Sequence, residues 1–288
     1  MSLDPFGSHR RLLFTVAYEM LGSAADAEDV VQETWLRWAE VDQAEVRDPR
    51  AYLVRIVTRQ ALNRLRTLAR RREEYVGQWL PEPLLTSPDV AEDVELAESV
   101  SIAMLTVLET LGPAERAVFV LREVFDTSYE EIAAAIDKSP AAVRQIAHRA
   151  REHVAARRPR VQVSRAEQRA VVDRFLAALR TGDVQGLLDV LAPEVVLRAD
   201  GGGVVAAAPR PIEGADAVTR FLAGFAKVAP GARVDTVWLN GAPAARIEFE
   251  GDVTAVSLLI EDGRITRIYA MRNPHKLTRL GAEAQLSR

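Results

Sequence analysis

Ser128-Tyr-Glu-Glu-Ile-Ala-Ala-Ala-Ile-Asp-Lys-Ser-Pro-Ala-Ala-Val-Arg-Gln-Ile-Ala-His-Arg-Ala-Arg151 is the stretch whose reading decides the architecture. Ser128 with Glu131 forms a capping box, the serine accepting from the backbone and the glutamate reaching back, and it opens a short helix carrying Ile132, Ala133 and Ile136. Asp137-Lys138 makes a turn, and Ser139-Pro140 caps a second helix with proline in its first turn. Val143, Ile146, Ala147, Ala150 and Val154 recur on the inner side of that helix, while Arg144, Gln145, His148, Arg149 and Arg151 face outward. A preceding helix starts at Gly112-Pro113 and carries Val118, Phe119, Leu121 and Val124. Short helix, tight turn and second helix with a cationic outer face make a helix-turn-helix, whose second helix enters the major groove. There arginine bonds guanine bidentately and glutamine bonds adenine. A plain three-helix bundle with a solvated cationic face is the alternative; two caps at the right separation favour the DNA reader.

Upstream, charge comes in blocks. Residues 19 to 48 hold nine acids against two arginines, and residues 50 to 72 hold eight arginines and no acid. Residues 73 to 112 carry nine acids and no base, residues 138 to 160 carry seven bases against Glu152, and residues 161 to 288 are balanced at 16 bases and 15 acids. The net charge of −4 therefore says little about partners, because single-sign runs mark binding faces, tails or linkers.

The acidic block contains a helix starting at Ser23, with Ala27, Val30, Val31, Thr34, Trp35 and Trp38 on one face and Asp26, Asp29, Gln32, Glu33 and Arg37 on the other. The basic block begins a helix at Asp48-Pro49, with Arg55, Arg59, Arg66 and Arg70 in one stripe and Arg64 and Arg71 beside it. Such a helix repels itself in isolation, so it predicts a polyanion surface as partner. Between Glu73 and Ser99, Pro81, Pro83 and Pro88 interrupt helical continuity and the acids solvate the chain, which predicts a flexible linker. A second boundary is expected near Arg157-Arg158-Pro159-Arg160, before the capping box Ser164 to Glu167.

From residue 164 the pattern reads helix, short helix, strands, helix and a run of strands. Val172, Phe175, Leu176 and Leu179 form one buried stripe and Val218, Phe221, Leu222 and Phe225 another. Ala232 to Leu239, Ala244 to Glu250, Thr254 to Ile260 and Arg264 to Met271 are strand-like, separated by the turn dipeptides Asn240-Gly241, Gly251-Asp252 and Asp262-Gly263. A curved sheet over helices makes an α+β cone that can enclose a pocket. Asp200, His275, Glu248 and Asp252 are its acid/base groups, but no spacing pairs them, and an aspartate before Gly201-Gly202-Gly203 is more often a turn former. The expectation is a regulatory or ligand-binding domain, not an enzyme.

Composition excludes several classes. The 288 residues contain no cysteine, so disulfides and cysteine metal sites are out, and no metal or cofactor is expected. Met1 to Arg11 does not resemble an export signal, and uncharged runs fall well short of the roughly 18 residues that span a bilayer, which predicts a cytoplasmic protein without a membrane partner.

Taken in order, these parts resemble a bacterial sigma factor of the extracytoplasmic-function group. Asp26-Ala-Glu-Asp-Val-Val-Gln-Glu-Thr-Trp-Leu-Arg37 is similar to the family's region 2 helix, Ala51-Tyr-Leu-Val-Arg-Ile through Arg66 to the helix after it, and Tyr129-Glu-Glu-Ile-Ala through Arg151 to region 4. The resemblance implies core RNA polymerase (clamp helices of the largest subunit, and the flap region) and promoter DNA as partners. Asp26, Asp29, Gln32, Glu33, Trp35 and Arg37 would then contact polymerase. Arg55, Arg59, Asn63, Arg64 and Arg66 would serve the −10 element, and Arg144, Gln145, His148, Arg149 and Arg151 the −35 element. Unpaired bases would be captured around the loop Val41 to Arg50. The family commonly shows asparagine and aspartate where this chain has Arg59 and Asn63, a departure that bears on −10 sequence preference.

The remainder looks like the SnoaL-like group of the nuclear-transport-factor cone fold. Trp79-Leu80-Pro81-Glu82-Pro83-Leu84, Asp200-Gly201-Gly202-Gly203 and Asn273-Pro274-His275-Lys276-Leu277 resemble the signature of a sigma-factor subgroup with a fused SnoaL-like extension. That implies control of the sigma core in cis, without a separate anti-sigma factor, and leaves room for a small ligand in the C-terminal domain. His275 stands where the motif commonly has aspartate. Trp79 and Leu80 would be hidden by docking on the third domain, or else by packing on the first. The expected fold class is thus multidomain, two all-α sigma domains plus an α+β cone. Its segments are 1–72 (region 2), 73–99 (acidic linker), 100–160 (region 4) and 161–288 (SnoaL-like). A DNA-binding repressor or ligand sensor with a metabolite-binding or isomerase/cyclase-type cone is the competing reading. The acids Glu92, Asp93, Glu95 and Glu98 are expected to shield the DNA readers when no promoter is present.

Overall fold

Local signals start each helix where they should. Asp4 caps α1 (Pro5–Leu21), accepting from the Phe6 N–H at 3.1 Å, and Ser23 caps α2 (Ala24–Ala39) through the Asp26 N–H at 3.2 Å. The basic helix α3 (Pro49–Glu73) follows, then α4 (Val94–Ser99), α5 (Ile102–Leu108) and α6 (Pro113–Phe119), which runs into a π-helical turn over Val120–Val124. The helix-turn-helix is α7 (Tyr129–Ile136) and α8 (Pro140–Ala155). Both caps form as expected, Ser128 with Glu131 and Ser139 with the Ala142 N–H, and Asp137 takes the left-handed turn at φ 61°. The structure, a computed structural model, describes residues 4–91, 93–158 and 164–288. The expected boundary at Pro159-Arg160, the acid Glu92 and the side chains of Arg70 and Arg71 lie outside the described residues.

The sequence predicts two separate helical bodies on a flexible tether, and here the structure differs. One continuous apolar cluster runs from Phe6 to Val154, with α3 packed on both α6 and α7. Leu84, Leu96, Val100 and Met104, from the supposed tether and its end, are part of that cluster. Burying four such side chains fixes the segment far more firmly than its acids solvate it. Of the acids expected to shield the readers, Asp93 and Glu95 pair with Arg288, and Glu98 with Arg158 at 2.6 Å. Trp35, placed by periodicity on the inner face of α2, is 46% exposed, because Trp38 and Val31 already fill the contact with the bundle.

The third domain is α9 (Arg165–Thr181), α10 (Val184–Val190), β1 (Leu191–Asp200), β2 (Ile212–Glu213), α11 (Ala215–Val228), β3 (Arg233–Leu239), β4 (Ala242–Phe249), β5 (Asp252–Glu261) and β6 (Arg264–Met271). The strands form one sheet in the order β2-β1-β6-β5-β4-β3, antiparallel except for the parallel pair β1 and β6. Asn240-Gly241 and Asp262-Gly263 turn as expected with both residues at positive φ, but the middle hairpin turns on Glu250-Gly251. Asp252 instead begins β5, since a two-residue turn of this hand needs the left-handed region twice.

One face of the sheet packs Val256, Leu258, Ile260, Ile265 and Ile268 against Val172, Phe175, Leu176 and Leu179 of α9. That packing forms the core on the inner side of the expected cone. On α11, Val218 and Leu222 are buried, whereas Phe221 is 42% exposed, because the sheet is already covered by α9 and α10 along that edge. The opposite face presents Leu239, Ala244, Ala255, Leu259, Tyr269 and Met271 to Leu80, Ile102 and Ala103. A strand buried on both sides reads as an uninterrupted apolar run, as in Ala255-Val-Ser-Leu-Leu-Ile260.

Among the described residues no helix is long and apolar enough to cross a membrane.

Glu19, in the middle of α1, is fully buried. Ser99 donates to one carboxylate oxygen at 2.8 Å, and the other has no hydrogen-bond partner among the described residues. Burial pushes its pKa up to about 8, against the partial relief given by Ser99 and Arg116. A carboxyl raised in the folded state contributes stability that is complete below pH 4.5 and is lost as pH rises through about 8. The urea midpoint should therefore fall between pH 5 and 8.5, and Glu19→Gln should flatten the profile and exceed the parent at pH 8.5; a parent profile without that fall would contradict the assignment.

Candidate functional site

The three short motifs, each at least 70 residues from the next in sequence, meet at one buried carboxylate. Asp200, at the end of β1, has no solvent exposure. Its Oδ1 accepts from the Tyr75 hydroxyl at 2.5 Å and the Gly202 N–H at 3.0 Å, and its Oδ2 from the Leu80 N–H at 2.9 Å and Lys276 Nζ at 2.7 Å. Four donors, one of them cationic, compensate the loss of water around the charge. The Asp200 carbonyl meanwhile accepts from the Arg272 and Asn273 N–H groups at 2.7 and 2.9 Å, bringing in the third motif. Asn273 donates to the Tyr75 hydroxyl at 2.9 Å. Burial, with Asp200 as hydrogen-bond acceptor and charge beside it, holds the Tyr75 phenol above its ordinary pKa. Gly202 sits at φ 61°, and a β-carbon there would come within 2.2 Å of the Asn273 amide, so glycine is required.

Lys276 also donates to the Leu80 carbonyl at 2.6 Å, and its ammonium lies 4.2 Å from the Trp79 ring centre and 4.9 Å from that of Tyr75. Trp79 reaches both neighbours: its ring edge lies 3.0 Å from where a β-carbon at Gly22 would stand, at the end of α1. Both expected homes for the Trp79-Leu80 pair are thus occupied. Leu80 packs on the sheet of the third domain beside Ile102 and Ala103, and Trp79 bridges that domain to the first.

Glu82 points the other way. Its Oε2 accepts from the Ala24 and Ala25 N–H groups at 2.8 and 3.2 Å and from Ser23 at 3.2 Å, the place where the α2 dipole favours an anion. Desolvation still raises its pKa. Pro81 and Pro83 are buried on either side of it, and the adjacent chain adds a bridge from Leu85 to Leu239. Pro274 starts the turn that presents Lys276, and Leu277 packs beside Leu80; Gly201 accepts the turn bonds from Val204 and Val205.

Asn240, read from sequence only as a turn former, joins every segment. Its amide donates to the Tyr18 hydroxyl at 2.7 Å and to the Val100 carbonyl at 2.8 Å, and its oxygen accepts from the Leu84 N–H at 2.9 Å. Tyr18, Tyr75 and Asn240 are the functional candidates that sequence reasoning missed. The C-terminal tail was missed as well: Ala284 donates to the Leu85 carbonyl, Ser287 to Thr15, and Arg288 pairs with Asp93 and Glu95.

The nucleic-acid and polymerase candidates fall into two groups. On α2, Asp29, Gln32, Trp35 and Arg37 are exposed and Asp26 and Glu33 half-buried. Arg64, expected to face DNA, instead lies against this acidic face, 3.4 Å from Asp26 and Asp29 and 3.3 Å from Glu33. With three carboxylates in reach on the neighbouring helix, the guanidinium is held there. Arg37 donates to the Gln60 side-chain oxygen at 2.6 Å when that amide is turned toward it. Arg59, likewise expected to face DNA, is taken by the helix-turn-helix: Nε donates to the Ala135 carbonyl at 3.1 Å and Nη2 to the Ala134 carbonyl at 3.0 Å, at the negative end of α7. Arg55 lies over the Tyr52 ring, and Arg66 donates to Asn63 on the open face of α3. On α8, Gln145 and Arg149 are exposed, Arg144 pairs with Glu130 at 2.9 Å, Arg151 with Glu123 at 3.2 Å, and His148 lies 3.7 Å from Glu152. The loop from Val41 to Arg50 is largely exposed. Among Asp200, His275, Glu248 and Asp252, no hydrogen bond or ion pair joins any two; Glu248 is held by Arg233 and Arg246. Among the described residues no acid and histidine cluster is arranged to hold a metal.

Comparison with known proteins gives three family matches: Sigma-70 region 2 over residues 6–71, Sigma-70 region 4 over 101–154, and the SnoaL-like domain over 172–268. The chain is 36% identical to ECF RNA polymerase sigma factor SigJ of Mycobacterium tuberculosis, over 96% of this chain and 94% of that protein. It is 34% identical to the probable ECF RNA polymerase sigma factor SigI of the same organism, with the same coverage. The crystal structure of M. tuberculosis SigJ matches at TM-score 0.79 and 34% identity, over 95% of this chain and 97% of that one.

Removing Lys276 leaves the Asp200 charge buried without its cation. Lys276→Met should cost about 3–5 kcal/mol of unfolding free energy, whereas Asp200→Asn combined with Lys276→Met should cost less than Lys276→Met alone. Chemical denaturation of the single and double variants reads the difference, and equal or additive losses would contradict a coupled pair.

Proposed function

This chain belongs to the extracytoplasmic-function RNA polymerase sigma factors, and on that premise we propose that its SnoaL-like domain holds the sigma core closed, in a state that cannot read a promoter. The factor directs promoter-specific transcription initiation. In our reading the exposed face of α2, with Asp26, Asp29, Gln32, Glu33, Trp35 and Arg37, docks on polymerase. Arg55, Asn63 and Arg66 serve the −10 element, joined by Arg59 and Arg64 once they are released. Arg144, Gln145, His148, Arg149 and Arg151 serve the −35 element from α8.

The observation that carries the proposal is the contact of Arg59 with the end of α7. Elements named −10 and −35 lie about 25 base pairs apart, roughly 85 Å of duplex at 3.4 Å per step. Readers whose helices touch cannot serve both ends of such a span. Opening must therefore separate α3 from α7, and the segment that resists is the one pinned by Asp200 and Asn240 to the third domain. Control of this kind acts in cis and needs no separate anti-sigma factor. We also read the third domain as non-catalytic: all four donor positions around Asp200 are taken by structural partners, and Glu248 is committed to two arginines.

Trp79→Ala removes the ring that bridges Lys276 to Gly22 without touching a DNA-facing residue. Run-off transcription with core polymerase should rise several-fold over the parent chain at equal concentration, approaching a chain ended after residue 160. A stable Trp79→Ala protein with unchanged output would contradict control by the third domain.

A further inference from the structure

A cavity of about 310 Å³ lies at an edge of the sheet, between the helical half and the third domain. Its cause is visible in the sheet. The ladder between β4 and β5 ends at Ala244↔Ser257, while β5 continues to Glu261. The next β4 residue is Pro243, which has no N–H to extend the ladder. Leu258 and Ile260 therefore run past their β4 partner, and their edge opens into the gap. Val94, Ala97 and Ile102 close it from the helical side.

The walls are mainly apolar and the charge at the rim is unbalanced. Glu98 lines the cavity, but its carboxylate is engaged by Arg158 at 2.6 Å. Glu167 nearby is engaged by Ser164 in the α9 capping box. Arg165, which also lines the cavity, has no acidic partner among the described residues. An apolar slot with one uncompensated guanidinium at its mouth suits a chain that is apolar along its length and anionic at one end.

We infer that this junction is a binding site for a short amphipathic carboxylate, with the acyl chain between Ile102 and Leu258 and the carboxylate at Arg165. A volume near the lower end of the roughly 300–1,000 Å³ typical of ligand sites selects a short chain. Because the two walls belong to different halves of the molecule, the ligand binds only while they stay together, and so it stabilises the closed arrangement by mass action. This consequence rests on the closed-state reading above; binding itself does not.

The test uses the full chain and octanoate, with octanol and octylammonium as comparators, all below their aggregation limits, followed by titration calorimetry. Octanoate should bind saturably, one per chain, at least about tenfold more tightly than octylammonium. Arg165→Gln should weaken octanoate about tenfold and leave octanol unchanged, and Ala242→Leu, which fills the slot from β4, should abolish all binding while the thermal midpoint is retained. No saturable octanoate binding, equal binding of octylammonium, or indifference to Ala242→Leu would overturn the site. Octanoate that binds as described but does not lower run-off transcription by the parent chain would overturn the closed-state consequence and leave the site standing.

Discussion

The burial of Asp200 is the constraint on which the interdomain arrangement depends. A carboxylate with no exposure is tolerable only if charge and hydrogen bonds replace its water. Here the replacements come from Tyr75, Leu80, Gly202 and Lys276, so the linker, the end of β1 and the turn after β6 must be in register at once. None of the three motifs can shift alone without stranding a charge or an N–H. That interdependence turns three short peptide segments into one mechanical element, and it explains why residues 80–84 are buried within a segment rich in acid and proline.

From this anchor, restraint passes in two directions. Leu80 enters the outer face of the sheet beside Ile102 and Ala103, so the start of the second helical body is seated on the third domain. Glu82 and Tyr18 carry the same linker to the ends of α1 and α2, with Asn240 as the common partner of Tyr18, Leu84 and Val100. Both helical halves are thus tied to the third domain, and they meet each other along one apolar cluster and through Arg59 at the end of α7. The cationic surfaces expected to meet nucleic acid are occupied from within: Arg64 by three carboxylates of α2, Arg144 and Arg151 by Glu130 and Glu123. The more exposed pairs of Arg144 and Arg151 are weak individually and are exchangeable for phosphates, whose higher charge density competes well at moderate salt.

Much of this was legible in the sequence, for local reasons. Caps such as Ser128 with Glu131 act within one helical turn, and hairpin dipeptides act within two residues, so both appear as short-range patterns. The middle hairpin was misplaced by one residue because Glu250 takes the left-handed conformation that Asp252 was expected to supply. Periodicity put Trp35 and Phe221 inward, but a face is buried only if something covers it, and neither residue has a covering element. The cation stripe of α3 was visible while the partners of Arg59 and Arg64 were not, since they depend on the packing of helices 31 to 76 residues away. Asn240 and Tyr18, 222 residues apart, left no sequence signal at all of their joint role. The three motifs were recognisable through family resemblance, yet only the fold reveals that a single carboxylate gathers them.

The central claim is that the free protein keeps its two DNA readers in contact and parts them on a promoter. Because the chain has no cysteine, a Thr67→Cys, Ala155→Cys protein can be labelled only at the exposed ends of α3 and α8. Distances between spin labels at these sites should be short and narrowly distributed in the free protein, and should lengthen by several tens of Å in complex with core polymerase and promoter DNA. A long or broad distribution in the free protein, or the same distance in both states, would contradict the account.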